Sequence, residues 1–291
     1  MHGKIGLIGF GEAGQAFARA GAWGAAACAY DKLTDEAATR AAKQAEYDFA
    51  GVNGMPSTAA AVGSAPLILS LVTADQALAA ARAAAPAVAA GALYCDMNSV
   101  APQTKRAAAA AIEDAGGDFV DVAVMAPVHP AGLAVPLLLS GPRAEDAAVR
   151  LSAIGFASVQ VIGDQVGAAS TVKMVRSVMV KGMEALTAEC LIAAELAGVR
   201  DALLASLDAT PSRQSWAARA DYDLDRMLVH GLRRAAEMEE AVRTLEGLGV
   251  DPAMTRGTVA VQRAIGGHGL APAPDGLAGK LELLVDRGAA A

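Results

Sequence analysis

Apolar segments and helix-like segments alternate along the first half of the chain. Short uninterrupted apolar runs, which are typical of buried strands, occur at residues 4–8, 25–30, 66–71, 92–96, 119–124, 135–140 and 157–162. Stretches with helical spacing of apolar residues lie between several of these runs, for example at 35–45, 75–85 and 101–115. Repetition of strand and helix indicates parallel βαβ units. We therefore predict an α/β domain, a doubly wound parallel sheet, over residues 1–163.

The pattern changes in the second half. From residue 165 to residue 198 the sequence has no proline and only scattered charges, which predicts one long helix ending at Gly198. This helix is apolar around much of its circumference, so we expect it to be buried on several sides. Further helices are predicted at 200–208, 223–248, 252–265 and 276–286. The second domain, residues 164–291, is therefore predicted to be all-α and joined to the first by the long helix.

The first apolar run leads directly into a glycine-rich turn. Gly9, Gly11 and Gly14 have the spacing G-x-G-x-x-G, and helix-spaced apolar residues follow. The first glycine of such a turn permits a tight bend, the second lets a pyrophosphate approach the backbone, and the third lets helix and strand pack closely. The helix N-terminus then offers unpaired N–H groups and the positive end of its dipole to the phosphate. The turn predicts that the chain binds a dinucleotide.

The second apolar run ends at Asp31, where dinucleotide-binding proteins carry an acidic residue about 20 residues after the glycines. As a ribose ligand, Asp31 accepts hydrogen bonds from both hydroxyls of NAD and repels the 2′-phosphate of NADP. The alternative interpretation is a turn residue at a strand end. Lys32 acts against the NAD preference, because a neighbouring cation can pair with a phosphate. We predict NAD as the preferred cofactor and NADP as the alternative.

Ligands of doubly wound sheets bind outside the carboxyl ends of the strands, so the residues that follow each strand are candidates. Those predicted to bind the cofactor are Gly9, Phe10, Gly11, Glu12, Ala13, Gly14, Asp31, Lys32, Val72, Thr73, Asn98 and Ser99. The segment after the fifth strand adds Met125 and His129 as candidate substrate-binding residues.

A polar stripe runs along the long helix. Lys173, Arg176, Ser177, Lys181 and Glu184 recur at spacings of three and four, which places them on one side. An exposed polar face is one interpretation, but the neighbouring valines and methionines leave little else to face water. A lysine desolvated there, one turn from a second cation, has its ammonium form disfavoured, which suits proton transfer near neutral pH. We predict Lys173 as the acid/base, with Arg176 and Ser177 completing the catalytic set.

Two further residues on helices are candidate substrate ligands. Lys181 belongs to the same polar stripe, and His230 lies on a later predicted helix next to arginines. A solvated helix face is the alternative interpretation of His230. Arg176 offers a bidentate seat for a substrate carboxylate, which fits an acidic small molecule.

No metal site is predicted. Cys28, Cys95 and Cys190 lie far apart in apolar contexts, and the histidines, cysteines and acids show no metal-ligand spacing. The cysteines are interpreted as small buried thiols in a reducing compartment.

Composition excludes several classes of partner. The chain has 291 residues, 54% hydrophobic and 19% charged, with a formal net charge of -7. This acidic balance argues against nucleic acid or an anionic membrane as a partner.

No secretory leader precedes the first strand, and proline, glycine and serine interrupt the longest uncharged runs, so we expect a cytoplasmic protein without a membrane span. The apolar helical half predicts a homodimer or higher homo-oligomer.

Together these residues resemble the β-hydroxyacid dehydrogenases, the family that includes 3-hydroxyisobutyrate dehydrogenase, tartronate semialdehyde reductase and, more distantly, 6-phosphogluconate dehydrogenase. The glycine-rich turn matches the family's cofactor motif. The segment Asp96-Met-Asn-Ser-Val-Ala-Pro102 is similar to its D-x-S-T-x-x-P motif, which implies that Ser99 lies near the nicotinamide. Gly167 and Lys173 match its glycine six residues before the catalytic lysine. The resemblance covers nearly the whole chain and implies a Rossmann-type first domain and subunits that pair through the helical half.

The sequence departs from the family pattern at three places. Arg176 and Ser177 stand where the family usually has asparagines, and Met125-Ala-Pro replaces its S-G-G segment. His230-Gly231 replaces a lysine–aspartate pair. These changes are similar to a subgroup whose helical domain long carried only a label of unknown function. We therefore expect the reaction class to transfer and the substrate not to.

The sequence predicts an NAD(P)-dependent dehydrogenase or reductase that acts on a small 3-hydroxy acid. One alternative is an imine reductase, a class that resembles this architecture but usually lacks the lysine. Another is a decarboxylating enzyme of the 6-phosphogluconate type, whose phosphate pocket would be formed by Arg213, Arg219, Arg233 and Arg234. A third is a cofactor-binding protein without catalysis, such as a redox sensor.

Overall fold

The computed structural model describes residues 5–209 and 215–287, except for the side chain of residue 189. The chain divides into two compact units, residues 1–174 and 175–291. The long helix Ala168–Leu196 crosses this division. Arg213, one of the residues in the alternative phosphate pocket, lies outside the described residues. No described helix is both long enough and apolar enough to cross a bilayer.

The first unit contains a sheet of eight strands. In chain order these are β1 (Ile5–Ile8), β2 (Ala27–Tyr30), β3 (Asn53–Gly54), β4 (Leu67–Ser70), β5 (Leu93–Asp96), β6 (Asp118–Val124), β7 (Leu137–Ser140) and β8 (Val159–Gly163). Their spatial order is β3-β2-β1-β4-β5-β6-β7-β8, and all neighbours are parallel except β6 and β7. The predicted doubly wound α/β fold is confirmed.

The strand order reverses at β1. From β1 the chain continues to β2 and β3 on one side, and it then returns to β4 on the other side of β1. A doubly wound sheet opens a crevice at such a reversal, outside the carboxyl ends of the strands. The glycine-rich turn directly follows β1 and therefore lies at this crevice.

Two details of the sheet differ from the sequence prediction. β7 runs antiparallel to β6, because the connection between them contains only a four-residue helix and a 3₁₀ turn instead of a crossover helix. β3 was not predicted, because its two residues, Asn53 and Gly54, are both exposed and show no apolar pattern.

Helices cover both faces of the sheet. In chain order they are α1 (Glu12–Ala20), α2 (Arg40–Ala50), α3 (Thr58–Val62), α4 (Ala77–Ala84), α5 (Pro102–Glu113), α6 (Val128–Ala131) and α7 (Ala144–Ala153). One buried cluster contains Leu67 and Leu69 of β4, and a second contains Ile68 of the same strand. Because both faces are buried, the strands are continuous apolar runs rather than alternating ones.

The second unit is helical among the described residues, as predicted. Its helices are the C-terminal part of α8 (Ala168–Leu196), then α9 (Arg200–Asp208), α10 (Trp216–Gly247), α11 (Ala253–Gly266) and α12 (Gly276–Asp286). α10 begins seven residues earlier than predicted, at Trp216, because the Ser215 hydroxyl accepts a hydrogen bond from the Ala218 N–H and caps the helix. The core of this unit includes Leu224, Met227 and Ile265.

α10 and α11 cross at two glycines. A Cβ added at Gly231 would lie 2.5 Å from the Gln262 carbonyl oxygen, and one added at Gly266 would lie 2.5 Å from the Leu232 nitrogen. Any side chain at these positions would force the two helices apart. Gly231, which replaces an acid of the family pattern, therefore has a packing role.

Candidate functional site

The glycine-rich turn has the geometry that its spacing predicts. Gly9 adopts a φ of +86°, and a Cβ there would lie 2.6 Å from the Leu71 carbonyl oxygen. A Cβ on Gly14 would lie 2.9 Å from the Gly9 carbonyl oxygen. The first glycine is therefore required by the bend and the third by close packing of α1 on the turn.

Gly11 is different because it faces open space. A Cβ built on Gly11 has no heavy atom within 4 Å. The φ of Gly11, -82°, is one that any residue adopts, so the backbone does not require a glycine here. Gly11 is the N-cap of α1 and makes no side-chain cap, so the first N–H groups of the helix have no side chain from this position covering them. Open space beside a helix N-terminus fits a pyrophosphate. The residues of the turn thus fit a dinucleotide cofactor.

Asp31 is fixed against the same turn. Its Oδ2 accepts a 2.8 Å hydrogen bond from the Phe10 N–H, and its Oδ1 accepts a 3.0 Å hydrogen bond from the Leu33 N–H. The carboxylate therefore caps the 3₁₀ turn Lys32–Thr34 and ties the end of β2 to the glycine-rich turn. Each carboxylate oxygen has a further lone pair, so these contacts leave acceptor capacity for a ribose.

Lys43 is a component of this corner that sequence reasoning missed. It lies on α2 with its side chain buried, donates a 3.1 Å hydrogen bond to the Phe10 carbonyl oxygen and is 3.9 Å from Asp31 Oδ2. It also pairs with Glu46 at 2.5 Å. The sequence carried no signal for it, because a lysine among alanines on a helix looks like a solvated residue. Lys32, in contrast, is exposed.

Lys173 and Ser99 meet in the first unit. The Lys173 ammonium donates a 2.6 Å hydrogen bond to Ser99 Oγ, and both side chains are half-buried. Ser99 follows β5, and Lys173 lies in the second turn of α8. The structure therefore brings together one residue predicted to bind cofactor and the residue predicted to transfer protons.

The segment that carries Ser99 is held by its own hydrogen bonds. The Asn98 backbone N–H donates to Asp96 Oδ1 at 2.9 Å, and the Asn98 amide donates to Ser70 Oγ at 3.0 Å. Asn98 is buried and links the ends of β4 and β5. After β4, Val72 lies beside Gly9 and Thr73 is exposed.

The other candidates occupy varied environments. His129 is exposed, and the Met125 backbone N–H donates to the Pro136 carbonyl oxygen at 2.9 Å. On the part of α8 in the second unit, Arg176 is exposed and Ser177 is buried. Their assignment as ligands of the substrate stays a prediction. His230 is half-buried on α10.

Lys181 belongs to a buried charge cluster of the second unit. Its ammonium pairs with Glu237 at 2.5 Å, and burial lowers the pKa of Lys181 despite that carboxylate. One turn further along α8, Glu184 pairs with Arg234 and accepts a 2.9 Å hydrogen bond from the Gln262 amide. The polar stripe predicted on α8 thus continues into the helical core rather than into solvent.

Residues 5–209 and 215–287 contain no group of three or more histidine, cysteine or acidic side chains that could hold a metal ion. The cysteines are free, and they differ in environment. Cys95 is buried, and burial raises the pKa of its thiol to about 12. Cys190 is exposed, so the prediction of a buried thiol is wrong at this position.

The fold and the glycine-rich turn define a dinucleotide-binding protein of the α/β class. Residues 4–163 match the family model described as the NAD binding domain of 6-phosphogluconate dehydrogenase, and residues 194–265 match a domain of unknown function, DUF1932. The chain belongs to this family, within the β-hydroxyacid dehydrogenase-like superfamily that the sequence resembles.

Solved structures cover nearly the whole chain. A conserved hypothetical protein from Sinorhizobium meliloti is 40% identical over 99% of this chain and 97% of that one, with a TM-score of 0.75. A conserved protein of unknown function, described as structurally similar to 3-hydroxyacid dehydrogenases, is 30% identical over 90% of this chain and 99% of that one, with a TM-score of 0.67. A 3-hydroxyisobutyrate dehydrogenase from Mycobacterium tuberculosis, solved with L-serine, has the same fold at 17% identity, covering 98% and 99% of the two chains with a TM-score of 0.72.

A curated relative from Methanothermus fervidus, described as an uncharacterized 28.5 kDa protein, is 29% identical over 169 residues. The match spans 57% of this chain and 63% of that protein's length. The relatives with the higher identities thus share the family without an assigned activity.

Proposed function

We propose that the protein is an NAD(P)-dependent oxidoreductase that transfers a hydride between a nicotinamide and the carbinol carbon of a small 3-hydroxy acid. The observation that carries this proposal is the 2.6 Å hydrogen bond between Lys173 and Ser99. This hydrogen bond holds the lysine amine beside the segment that follows β5. Such folds bind their ligands there, outside the carboxyl ends of the strands. The NAD-binding family and the 30% identical structure described as similar to 3-hydroxyacid dehydrogenases support the reaction class.

Oxidation of a hydroxy acid removes a hydride and a proton from one CH–OH group. A bound nicotinamide supplies the hydride acceptor. Lys173, in its neutral amine form, accepts the hydroxyl proton, and the resulting ammonium stabilises negative charge on the oxygen. In the reverse direction the same ammonium returns the proton. Ser99 Oγ accepts a hydrogen bond from the lysine and so orients it.

The substrate carboxylate is assigned to the residues that follow Lys173 on α8. Arg176 and Ser177 come three and four residues later, so they lie on the same side of this helix as the lysine. The Arg176 guanidinium can bind a carboxylate in a bidentate manner, by donating two parallel N–H hydrogen bonds to it. His129 is an alternative ligand for the carboxylate, and Met125, Lys181 and His230 complete the proposed substrate-binding residues.

NAD is the proposed preferred cofactor. The Asp31 carboxylate lies at the end of β2, and Lys43, 3.9 Å from it, is engaged with the Phe10 carbonyl oxygen and Glu46. A carboxylate in this position accepts ribose hydroxyls and repels a 2′-phosphate. Exposed Lys32 is the residue that would favour NADP.

The test is turnover by the purified protein with NAD or NADP and a panel of 3-hydroxy acids, namely hydroxyisobutyrate, glycerate, threonate and β-hydroxy amino acids. Reduced nicotinamide is followed by its absorbance. Lys173→Met is expected to lower kcat by about 10²–10⁴-fold, the usual contribution of a general acid/base, and to leave NADH binding unchanged. Near-normal turnover by this variant would contradict the proposed role of the lysine.

Two other results would assign a different function. Reduction of imines, with no turnover of hydroxy acids, would indicate an imine reductase. Tight NADH binding with no turnover of either class would indicate a cofactor-binding protein without catalysis.

We also propose a cytoplasmic homodimer or higher homo-oligomer, and a monomer in sedimentation at working concentration would contradict that assembly.

A further inference from the structure

A lysine that the proposed mechanism does not use lies in the interior of the first unit. The Lys105 side chain has no exposed surface, and its ammonium lies 3.0 Å from Asp96 Oδ1 and 3.2 Å from Asp121 Oδ1. It also donates a 2.6 Å hydrogen bond to the Asp96 carbonyl oxygen. Both carboxylates are fully buried as well. Three charged groups from β5, α5 and β6 thus meet away from water.

On one side this cluster leads to Ser99. Asp96 Oδ1, which pairs with Lys105, also accepts the 2.9 Å hydrogen bond from the Asn98 N–H. Asn98 immediately precedes Ser99. The Lys105 ammonium therefore binds both the side-chain carboxylate and the backbone carbonyl of Asp96, the residue at the end of β5 from which the chain continues to Ser99.

On the other side the cluster leads to Lys173. Asp121 Oδ2 accepts hydrogen bonds from the Ser170 N–H and the Ser170 hydroxyl, both at 3.0 Å. The Ser140 hydroxyl donates to the same oxygen at 3.3 Å and accepts from the Ala169 N–H at 3.0 Å. Asp121 thus caps the Ser170 N–H in the first turn of α8, one helical turn before Lys173, and the Ser140 hydroxyl caps the Ala169 N–H.

The charge states keep the cluster together. Burial by itself lowers the pKa of Lys105, but the two aspartates raise it by more, so the net pKa is raised and the ammonium persists. Burial raises the pKa of Asp96, and Lys105 opposes that shift. Buried ion pairs add little net stability compared with apolar side chains, because desolvation cancels much of their attraction. Their more specific effect is to fix the segments that carry them.

We propose that Lys105 is a positioning residue that sets the distance between Lys173 and Ser99 by binding, through Asp96 and Asp121, the segments that carry each of them. This inference rests on the proposed function for its kinetic consequence. Its geometric part, the placement of the Lys173 amine against Ser99, does not depend on any substrate.

Lys105→Met tests the inference, because methionine is an unbranched side chain only one heavy atom shorter than lysine and carries no charge. Lys280→Met is the matched control, because Lys280 is also a buried lysine paired with two aspartates, Asp221 and Asp225, but on α12 in the other unit. If the unpaired carboxylates prevent Lys105→Met from folding, Asp121→Asn leaves Lys105 paired with Asp96 and weakens the contacts of residue 121 with both Lys105 and α8.

The first readout is the rate at which acetic anhydride modifies Lys173 in the protein without ligands, measured by mass spectrometry against exposed Lys32 in the same sample. We expect the relative rate to rise at least threefold in Lys105→Met and in Asp121→Asn, because the amine is released from Ser99. We expect no change in Lys280→Met. Equal Lys173 rates in all folded variants and the wild type would overturn the inference.

The second readout is turnover of the hydroxy acid found with the panel. We expect kcat, calculated per NADH-binding site so that unfolded protein is not counted, to fall about tenfold in Lys105→Met while KM for the cofactor stays within twofold. Faster Lys173 labelling in a protein that oxidises no hydroxy acid would support the positioning role and reject the proposed function. Unchanged kcat and labelling, in a protein whose Lys173→Met variant is inactive, would support the function and reject Lys105.

Discussion

Lys173 and Ser99 are separated by 74 residues of chain and joined by one 2.6 Å hydrogen bond. The serine is contributed by the loop after β5, and the lysine by α8. Since a hydroxyl in this position accepts from the amine, it restricts the side-chain rotamers of a long flexible lysine. We expect that restriction to be visible in catalysis, because proton transfer requires the amine at a defined distance from the reacting oxygen.

Ser99→Ala is expected to lower kcat about tenfold, because the amine remains but loses the hydroxyl that orients it. The measurement is steady-state turnover of the hydroxy acid, together with NADH affinity by fluorescence, which should be unchanged. Ser152→Ala, at an exposed serine of α7 in the same unit, serves as the control and should match the wild type. Equal kcat for the two variants would mean that Lys173 is positioned by other contacts.

Gly11→Ala is expected to fold normally and bind NADH at least about tenfold more weakly, a loss of about 1.4 kcal/mol. Its Cβ would enter open space at the helix N-terminus, where the pyrophosphate approaches. Gly9→Ala is the contrasting variant, because it combines a positive φ with a 2.6 Å approach to the Leu71 carbonyl oxygen. It should lower the free energy of unfolding by at least about 1–2 kcal/mol. Thermal melts and NADH titrations separate the two effects, and normal NADH affinity in Gly11→Ala would place the cofactor elsewhere.

Asp31→Asn is expected to reduce the ratio of NAD to NADP turnover about tenfold, because the carboxylate charge that repels a 2′-phosphate is removed. The asparagine oxygen can still accept one of the two backbone hydrogen bonds, from Phe10 or Leu33, so the turn should persist. Specificity constants for both cofactors provide the measurement. Glu36→Gln, at an exposed acid in the loop that follows, controls for a general change of charge. An unchanged ratio in Asp31→Asn would leave Asp31 only its structural contacts.

Gly231→Ala is expected to lower the free energy of unfolding by about 1–3 kcal/mol, the usual effect of overpacking. The added Cβ would lie 2.5 Å from the Gln262 carbonyl oxygen and 2.7 Å from Gly266 Cα. Gly257→Ala, at an exposed position on α11, meets no atom within 4 Å and should raise stability by about 0.5–1 kcal/mol through helix propensity. Chemical denaturation distinguishes the signs, and equal stability of the two variants would contradict the close crossing.

Three of the four tyrosines should ionise late in an alkaline titration. Burial, followed by the hydrogen bond to Asp35, raises the pKa of Tyr30 to about 12, and burial also raises the pKa values of Tyr47 and Tyr94. Because the folded protein holds these protons more tightly than the unfolded chain, their contribution to stability is present below about pH 10 and is lost as the pH rises from there towards 12.

The measurement is ultraviolet absorbance of tyrosinate between pH 9 and pH 12, in buffer and in denaturant. Fewer tyrosinates should form at pH 11 in the native protein than in the denatured one. Coincident titration curves would show that these side chains are not protected. Tyr30→Phe removes one of the late-titrating groups and identifies its share of the difference.

The sequence by itself determined the fold class and the cofactor turn. Buried parallel strands require continuous apolar runs, and a tight turn against a phosphate requires glycine, so both leave local patterns that can be recognised. The helix carrying Lys173 was predicted for the same reason, since helical periodicity is a local property. Short strand β3 and helices α3 and α7 escaped prediction because they are brief and rich in small or exposed residues.

Only the tertiary structure decided which polar residues act together. Lys43 and Lys105 look like ordinary helix-surface lysines in the sequence, yet both are buried because the elements around them supply carbonyl and carboxylate groups. Likewise, Gly231 and Gly266 are seen to be required only in the tertiary structure, where the backbones of α10 and α11 approach too closely for a side chain. Such pairings join residues that are distant in sequence. The free energy of burying a charge depends on its partners, and the need for glycine at a helix crossing depends on the facing helix, and no local pattern encodes either.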